Sequence, residues 1–407
     1  MRAARWAGYG DGRVTTLDVG RGLAIASVIY GHALAPWFMA AGERFSEPAF
    51  LQWKFGASFM MVFFFFLSGV GWRKEKSFIV TLRQSISLVV IAWLASVVFD
   101  VARLLAGWGG VAPALGLVPL DPLGFVHEAV RMGAVGDQYS LTALWFLAAL
   151  AIVRVLAAIV VRGGAAVTAL ATLSLLALTL ISTGLGWRNI YQLNLIGVAF
   201  AAFVVGHALS SKVRALDRSV PAALAALVLG GLTTALTFDL NDGCRWDLTG
   251  RCGQDWLNDG FGVSMYSGQF GNLLLFFLTA AAGTVFAVAL CILIARQNGL
   301  VGRRLEAWGR NSLNLLIVNA LFLHVANPLI ERWIVPRIAG EGWLFFLVLL
   351  TGTMAANLLV TQALTRPLRR LTSLAGRIAA ETVDLARRMA GWVIVATRGH
   401  RVSREHE

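Results

Sequence analysis

The stretch LDVGRGLAIASVIYGH, residues 17–32, decides how the chain folds. It opens an apolar run reaching to about residue 40, long enough for a helix to cross the roughly 30 Å hydrocarbon core of a bilayer. Yet it carries Asp18, Arg21 and His32. Ionisable groups in such a helix are costly and normally face a polar cavity rather than lipid. At 100° per residue, Arg21 and His32, eleven residues apart, fall on one face, with His32 about 16 Å further along. Asp18 shares that side. Thr15 or Thr16 can cap the helix start, leaving Asp18 in the first turn, where the helix dipole favours an anion. An arginine near a mouth suits an anionic or phosphorylated ligand, and a neutral histidine at depth suits proton transfer. The plain alternative is a snorkelling arginine and a core histidine bonded to a neighbour.

Working outward, the 407 residues are 57% hydrophobic and 14% charged, against about 45–50% and 25% in soluble domains. Continuous apolar runs recur along the chain, which excludes a β-barrel, whose strands read as short alternating segments. The expected fold is all-α and polytopic, with about ten spans at 17–40, 55–72, 78–102, 141–161, 164–183, 190–210, 219–238, 270–295, 311–335 and 342–364. The N-terminus MRAARW is basic and leads into a full span, so it reads as a signal anchor. With that end inside, 23 Lys and Arg fall in inner segments and 8 in outer ones. Both termini are therefore expected in the cytoplasm. The net charge of +13 then reflects basic inner loops beside an anionic membrane surface, not nucleic acid. No internal repeat is visible.

Two outer loops are long, about 103–140 and 239–268. Cys244 and Cys252 lie in the second, where an oxidising compartment favours a disulfide; two free thiols are the alternative. No metal-ligand spacing occurs, and DLNDG at 239–243 does not match a calcium loop. The transmembrane domain is taken as 1–368 and a basic tail as 369–407. In the tail, Leu371, Leu374, Ile378, Leu385, Met389 and Trp392 recur at helical spacing. Such a helix lies on the inner membrane surface or packs on the cytoplasmic loops.

LDVGRGLAIASVIYGH resembles the opening signature of the acyltransferase-3 family of integral membrane acyltransferases: an Asp, an Arg three residues on, a Gly after it, and a His beyond ten intervening residues. FFFFLSGVGW at 63–72, LWFLAAL at 144–150 and WGRNSLNLLIVN at 308–319 are similar to its later segments, in the same order. The resemblance covers about 17–364. It implies a ten-helix transferase taking an acyl group from cytoplasmic acyl-CoA, with no bound cofactor, to a hydroxyl of a sugar or glycan at the other side. It makes His32 the central catalytic residue, with Asp18 and Arg21 as partners. The chain departs from the family at three places. Leu150 stands where many members have Glu, and Asn319 where the late helix often has His. Only Arg83 follows the LSG span, with Ile86 where a second Arg could be. Roles resting on those groups do not carry over.

Arg21, Arg73, Arg310 and Ser312 are candidates for acyl-CoA phosphates, the last two because a helix start offers free N–H groups. Ser68, Trp145 and Asn319 are candidates for the cavity wall. Each has a plainer reading: Ser68 as helix packing, Arg73 as a topology determinant, Trp145 as an interfacial aromatic, Ser312 as a cap. His207 and His324 read as core histidines, and Arg83 and Arg154 as snorkelling side chains. Trp246, Trp256 and Tyr266 among outer-loop aspartates suit a sugar or simply a solvated acidic loop. The resulting expectation is an inner-membrane O-acyltransferase, an acetyltransferase in the first instance. Its acceptor is a sugar or glycan, lipid-linked or free, and His32 acts as general base or acyl relay. The rival is a proton-coupled transporter using Asp18, Arg21 and His32 as its pathway.

Overall fold

The computed structural model describes residues 15–38, 47–136, 139–241, 263–334, 337 and 342–404. The chain runs as α1 (Thr16–Phe38), α2 (Glu47–Ala57), α3 (Met60–Val70), α4 (Phe78–Trp108), α5 (Pro122–Ala134), α6 (Trp145–Val160), α7 (Ala165–Gly184), α8 (Leu193–Ala208), α9 (Ser210–Leu216) and α10 (Val220–Thr237). It continues as α11 (Leu273–Gln297), α12 (Leu300–Arg310), α13 (Ser312–Leu329), α14 (Gly342–Ala363) and α15 (Thr365–Arg404). No strand forms among the described residues; Ser264 and Gln269 make one isolated antiparallel bridge. Eight helical stretches are long and apolar enough to cross a membrane. They coincide with the second to ninth expected spans, and α2 with α3 makes up the second, broken at Ser58 and Phe59. The first and tenth expected spans are α1 and α14, of 23 and 22 residues. The chain is an all-α, multi-pass membrane protein.

The caps explain several starts. Ser77 accepts from the Val80 N–H, Asp121 from Gly124, and Asn272 from Leu274 and Leu275, satisfying N–H groups that have no partner inside the helix. Asp121 followed by Pro122 starts α5, which lies within the long loop 103–140. It is tied to α4 by the Trp93 indole N–H, which donates to the Ala129 carbonyl at 2.9 Å.

Two crossings without side chains hold the helices around the site. A Cβ on Gly22 would lie 1.9 Å from the Leu305 carbonyl oxygen, and one on Gly309 would lie 1.8 Å from that of Asp18. So α1 and α12 touch backbone to backbone, as small residues permit in membrane packing. Gly69 and Gly206 do the same for α3 and α8, at 1.9 Å from Phe203 O and 2.1 Å from Phe66 O.

α15 packs along α4 through Leu368, Ala375, Ala379 and Val383, all buried, and Asp384 pairs with Arg83. Arg83 is therefore an anchor for the tail rather than a snorkelling residue. Leu374, Leu385 and Met389, from the stripe read in the sequence, remain exposed. The packing face combines the small Ala375 and Ala379 with Leu368, Leu371 and Val383.

Candidate active site

The site is built on α1. The Thr15 hydroxyl accepts from the Asp18 N–H at 3.3 Å, and Asp18 Oδ1 accepts from Arg21 Nη1 at 3.0 Å. Asp18 thereby fixes the guanidinium while keeping its own side chain largely covered. Gly71 leaves room for that guanidinium, since a Cβ there would sit 3.4 Å from Arg21 Nη2. Arg21, Ile25, Val28 and His32 follow one another along the same face and line one cavity of about 640 Å³. The two functional groups expected on one face do open into one space.

At the Arg21 end this space is strongly cationic. Lys76, from the α3–α4 connection, and Arg154, from α6, line it with Arg21. The Arg154 guanidinium donates to a neutral partner, Gln84 Oε1, at 2.6 Å. Trp72 lines the same end, with its indole N–H buried and without a hydrogen-bond partner. Ser68 and Ser312 also line the cavity; the Ser68 hydroxyl donates to the Phe64 carbonyl of its own helix at 3.0 Å. The middle is apolar, with Met61, Phe64, Phe146 and Leu147. The His32 end is lined by Tyr30, Gln52 and Trp53 and by Ser264 to Tyr266, from the returning segment of the second long loop. Tyr30 hydrogen-bonds Gln52. Trp145, 8% exposed, packs against Tyr266 with ring centres 5.9 Å apart.

Other expected residues sit elsewhere. Arg73 is exposed and outside the cavity wall, and Lys76 takes that place. Arg310 bonds Glu306 Oε2 at 3.2 Å, and Glu306 Oε1 accepts from the Thr15 N–H at 3.2 Å. Arg310 therefore braces the start of α1 rather than lining the cavity. Asn319 is also outside the wall: it is 2% exposed, behind the His32 ring, with Nδ2 2.6 Å from His32 Nδ1. Arg154, read as snorkelling, faces inward instead. Its signal was the spacing Leu147, Leu150, Arg154, which puts the arginine on the cavity stripe of α6. His324 Nε2 accepts from the Thr142 N–H at 3.1 Å, and His207 packs edge-on against Trp72 at 4.9 Å. Cys244, Cys252, Trp246 and Trp256 lie outside the described residues. Among the described residues no cluster of three or more His, Cys, Asp or Glu could hold a metal.

A cavity with a cationic end, an apolar waist and a histidine at depth is the setting in which the comparison with known families becomes informative. The family model Acyl_transf_3, described as an acyltransferase domain, matches residues 14–362. The chain belongs to this acyltransferase family. The match takes in α1 to α14 and so the whole cavity wall, while α15 lies beyond it. This chain is thus a membrane acyltransferase. No curated protein and no solved structure gives a significant match.

Proposed function

We propose that this acyltransferase moves a short acyl group, acetyl in the first instance, from cytoplasmic acyl-CoA to a hydroxyl of a sugar or glycan on the far side of the inner membrane. The observation that carries the reading is the single cavity joining Arg21, Lys76 and Arg154 at one end to His32 about 16 Å away. The arm of CoA between its phosphates and its sulfur is about fourteen bonds, near five peptide units and so about 16 Å extended. Phosphates held by the three cations would bring the thioester to the imidazole. The apolar waist suits the uncharged arm. Lys and Arg counts in the loops favour this end as cytoplasmic.

In the general-base form, His32 takes the proton of the acceptor hydroxyl while that oxygen attacks the thioester carbonyl. The C–S bond then breaks, and the imidazolium returns the proton to the departing thiolate. In the relay form, the imidazole nitrogen attacks the thioester, CoA leaves as the thiol, and the hydroxyl then attacks the acyl-imidazole. Trp53 and Tyr266 at the far end offer aromatic faces for a sugar ring, and Gln52 an amide for its hydroxyls. Membrane lipid surrounds the protein; no cofactor beyond the donor takes part.

The test is incubation of membranes with labelled acetyl-CoA, wild type against His32→Ala, followed by identification of the labelled glycan or lipid. Incorporation that is equal in both overturns the assignment of His32. Labelled protein formed without acceptor, and absent in His32→Ala, selects the relay form.

A further inference from the structure

Two asparagines, Asn319 and Asn327, bond His32, and a third, Asn357, lies behind Asn319. Asn319 Nδ2 lies 2.6 Å from His32 Nδ1. Behind it, Asn357 Nδ2 on α14 reaches Asn319 Oδ1 at 3.5 Å. Asn327 Nδ2 donates to the His32 backbone carbonyl at 2.7 Å. Asn319 and Asn357 are 2% and 1% exposed, and the neighbours of Asn319 along α13 are Ile317, Val318 and Ala320. Buried amides in such surroundings are expensive unless paired. The general reading of the site uses only His32 and leaves this chain of amides unexplained.

We propose that Asn319, supported by Asn357, is the positioning residue of the His32 ring: it occupies Nδ1 in every protonation state and leaves Nε2 as the nitrogen facing the reacting groups. His32 lines the cavity whereas Asn319 does not, so the nitrogen bonded to Asn319 is the one turned away from substrate. An amide carries a donor and an acceptor on one carbon. With Nδ2 toward the ring, it donates to a bare Nδ1. Turned by half a revolution, its Oδ1 accepts from a protonated Nδ1. Asn357 can make the matching turn, since an amide oxygen or nitrogen serves equally behind Asn319. In the arrangement observed, Asn357 Oδ1 is buried without a partner, and in the turned arrangement the unpaired group would be its NH₂. Neither arrangement satisfies every atom, so neither is locked. A carboxylate at 319 would serve only the protonated Nδ1, and an aliphatic side chain neither form. With Nδ2 toward the ring the neutral imidazole carries its proton on Nε2 and is no base there; the turn that gives Oδ1 to Nδ1–H bares Nε2, which can then gain and lose a proton without the ring moving.

This inference rests on the assignment of His32 above, and two readouts separate their failures. The first is the ring ¹⁵N spectrum of histidine-labelled protein in lipid, with the His32 signals assigned by subtraction of His32→Gln. The second is acyl transfer from acetyl-CoA. Asn319→Leu should move the His32 ring signals and lower kcat about 10–100-fold, with KM for acetyl-CoA within about twofold because the cationic end is untouched. Asn319→Asp should convert the ring signals to the form protonated at Nδ1. Asn357→Ala, which does not touch the ring, should lower kcat less than Asn319→Leu and shift the same signals. Unchanged ring signals and unchanged kcat in Asn319→Leu and Asn357→Ala would overturn the proposal, even if His32→Gln is inactive. An active His32→Gln with ring signals that still respond to Asn319 would instead remove the catalytic assignment and leave the positioning contact standing.

Discussion

The backbone contact between α1 and α12 gives a sharp test of the architecture that carries the site. Gly309→Ala adds a Cβ that would lie 1.8 Å from the Asp18 carbonyl oxygen and 3.0 Å from the Gly22 nitrogen. Ordinary carbon–oxygen contact begins near 3.4 Å, so α12 must retreat from α1 by about 1.5 Å. Backbone sits on one side and a rigid methyl on the other, so no rotamer change relieves the clash. The Thr15 N–H to Glu306 bond, already 3.2 Å, spans the same seam and would break. Overpacking costs about 1–3 kcal/mol, and loss of a bond to a carboxylate about 1.5–3 kcal/mol. The expected total is therefore about 2.5–6 kcal/mol. The assay is thermal unfolding of the solubilised protein, with Gly352→Ala as control, because a Cβ there meets nothing within 4 Å. The control replaces a helical glycine by a better helix former and should be neutral or stabilising by up to about 1 kcal/mol. Gly309→Ala should lower Tm and, because Asp18 and Arg21 begin on the displaced seam, raise KM for acyl-CoA. A Gly309→Ala protein as stable as the control would refute the close approach and the placement of Arg21 that depends on it.

Arg154→Gln and Lys76→Gln should each raise KM for acyl-CoA about 10–150-fold, the worth of one charge-assisted contact, whereas Arg73→Gln should leave it within about twofold; steady-state kinetics in membranes decide this. Lys54 and Asp239 form an ion pair of 2.7 Å with very unequal burial, their side chains 5% and 60% exposed. Asp239→Ala strands a buried ammonium and should cost about 2–3 kcal/mol, while Lys54→Met leaves only a solvated carboxylate and should cost less than about 1 kcal/mol; thermal unfolding of the two variants gives the order. The pair of Arg83 and Asp384 is more than a third exposed on both sides. A double-mutant cycle should therefore find a coupling below about 1 kcal/mol, with the tail still protected from protease by its small-residue packing against α4.

What the sequence made legible follows from what a single helix can report. Arg21 and His32 belong to one uninterrupted helix, so eleven residues of regular rotation suffice to place both on a common face, and the cavity bears that out. The apolar run lengths likewise located the spans, because a bilayer demands about twenty apolar residues whatever the tertiary contacts. Relations between helices were another matter. Nothing local to Asn319 announces that its amide meets an imidazole 287 positions away, or that Glu306 braces Thr15. Arg154 was half legible: its stripe with Leu147 and Leu150 is a one-helix property, but which way that stripe faces is set by packing. The tail was legible in part, since Leu371 of its apolar stripe packs against the core. A search for large apolar residues finds Leu374, Leu385 and Met389, yet helices that must approach closely do so through Ala375 and Ala379.

Charge conservation links the proposed reaction to a property that separates it from transport. If the acceptor hydroxyl sits at the Trp53 and Tyr266 end and the thiolate leaves at the Arg21 end, one proton passes from the first to the second in each turnover. The acyl group, transferred formally as an acylium, passes the other way. The two movements cancel, so the cycle carries no net charge across the membrane and His32 ends as it began. Dissipating the membrane potential of sealed vesicles should thus leave the initial rate of acyl transfer unchanged within about twofold, because no term of the form zFΔψ enters the barrier. A proton-driven transporter built on Asp18, Arg21 and His32 would behave otherwise: its flux would collapse with the gradient and no acyl-CoA would be consumed. Acyl transfer that stops on uncoupling, with soluble acetyl-CoA still in excess, would show that protons are not exchanged between hydroxyl and thiolate through His32 in the manner argued here.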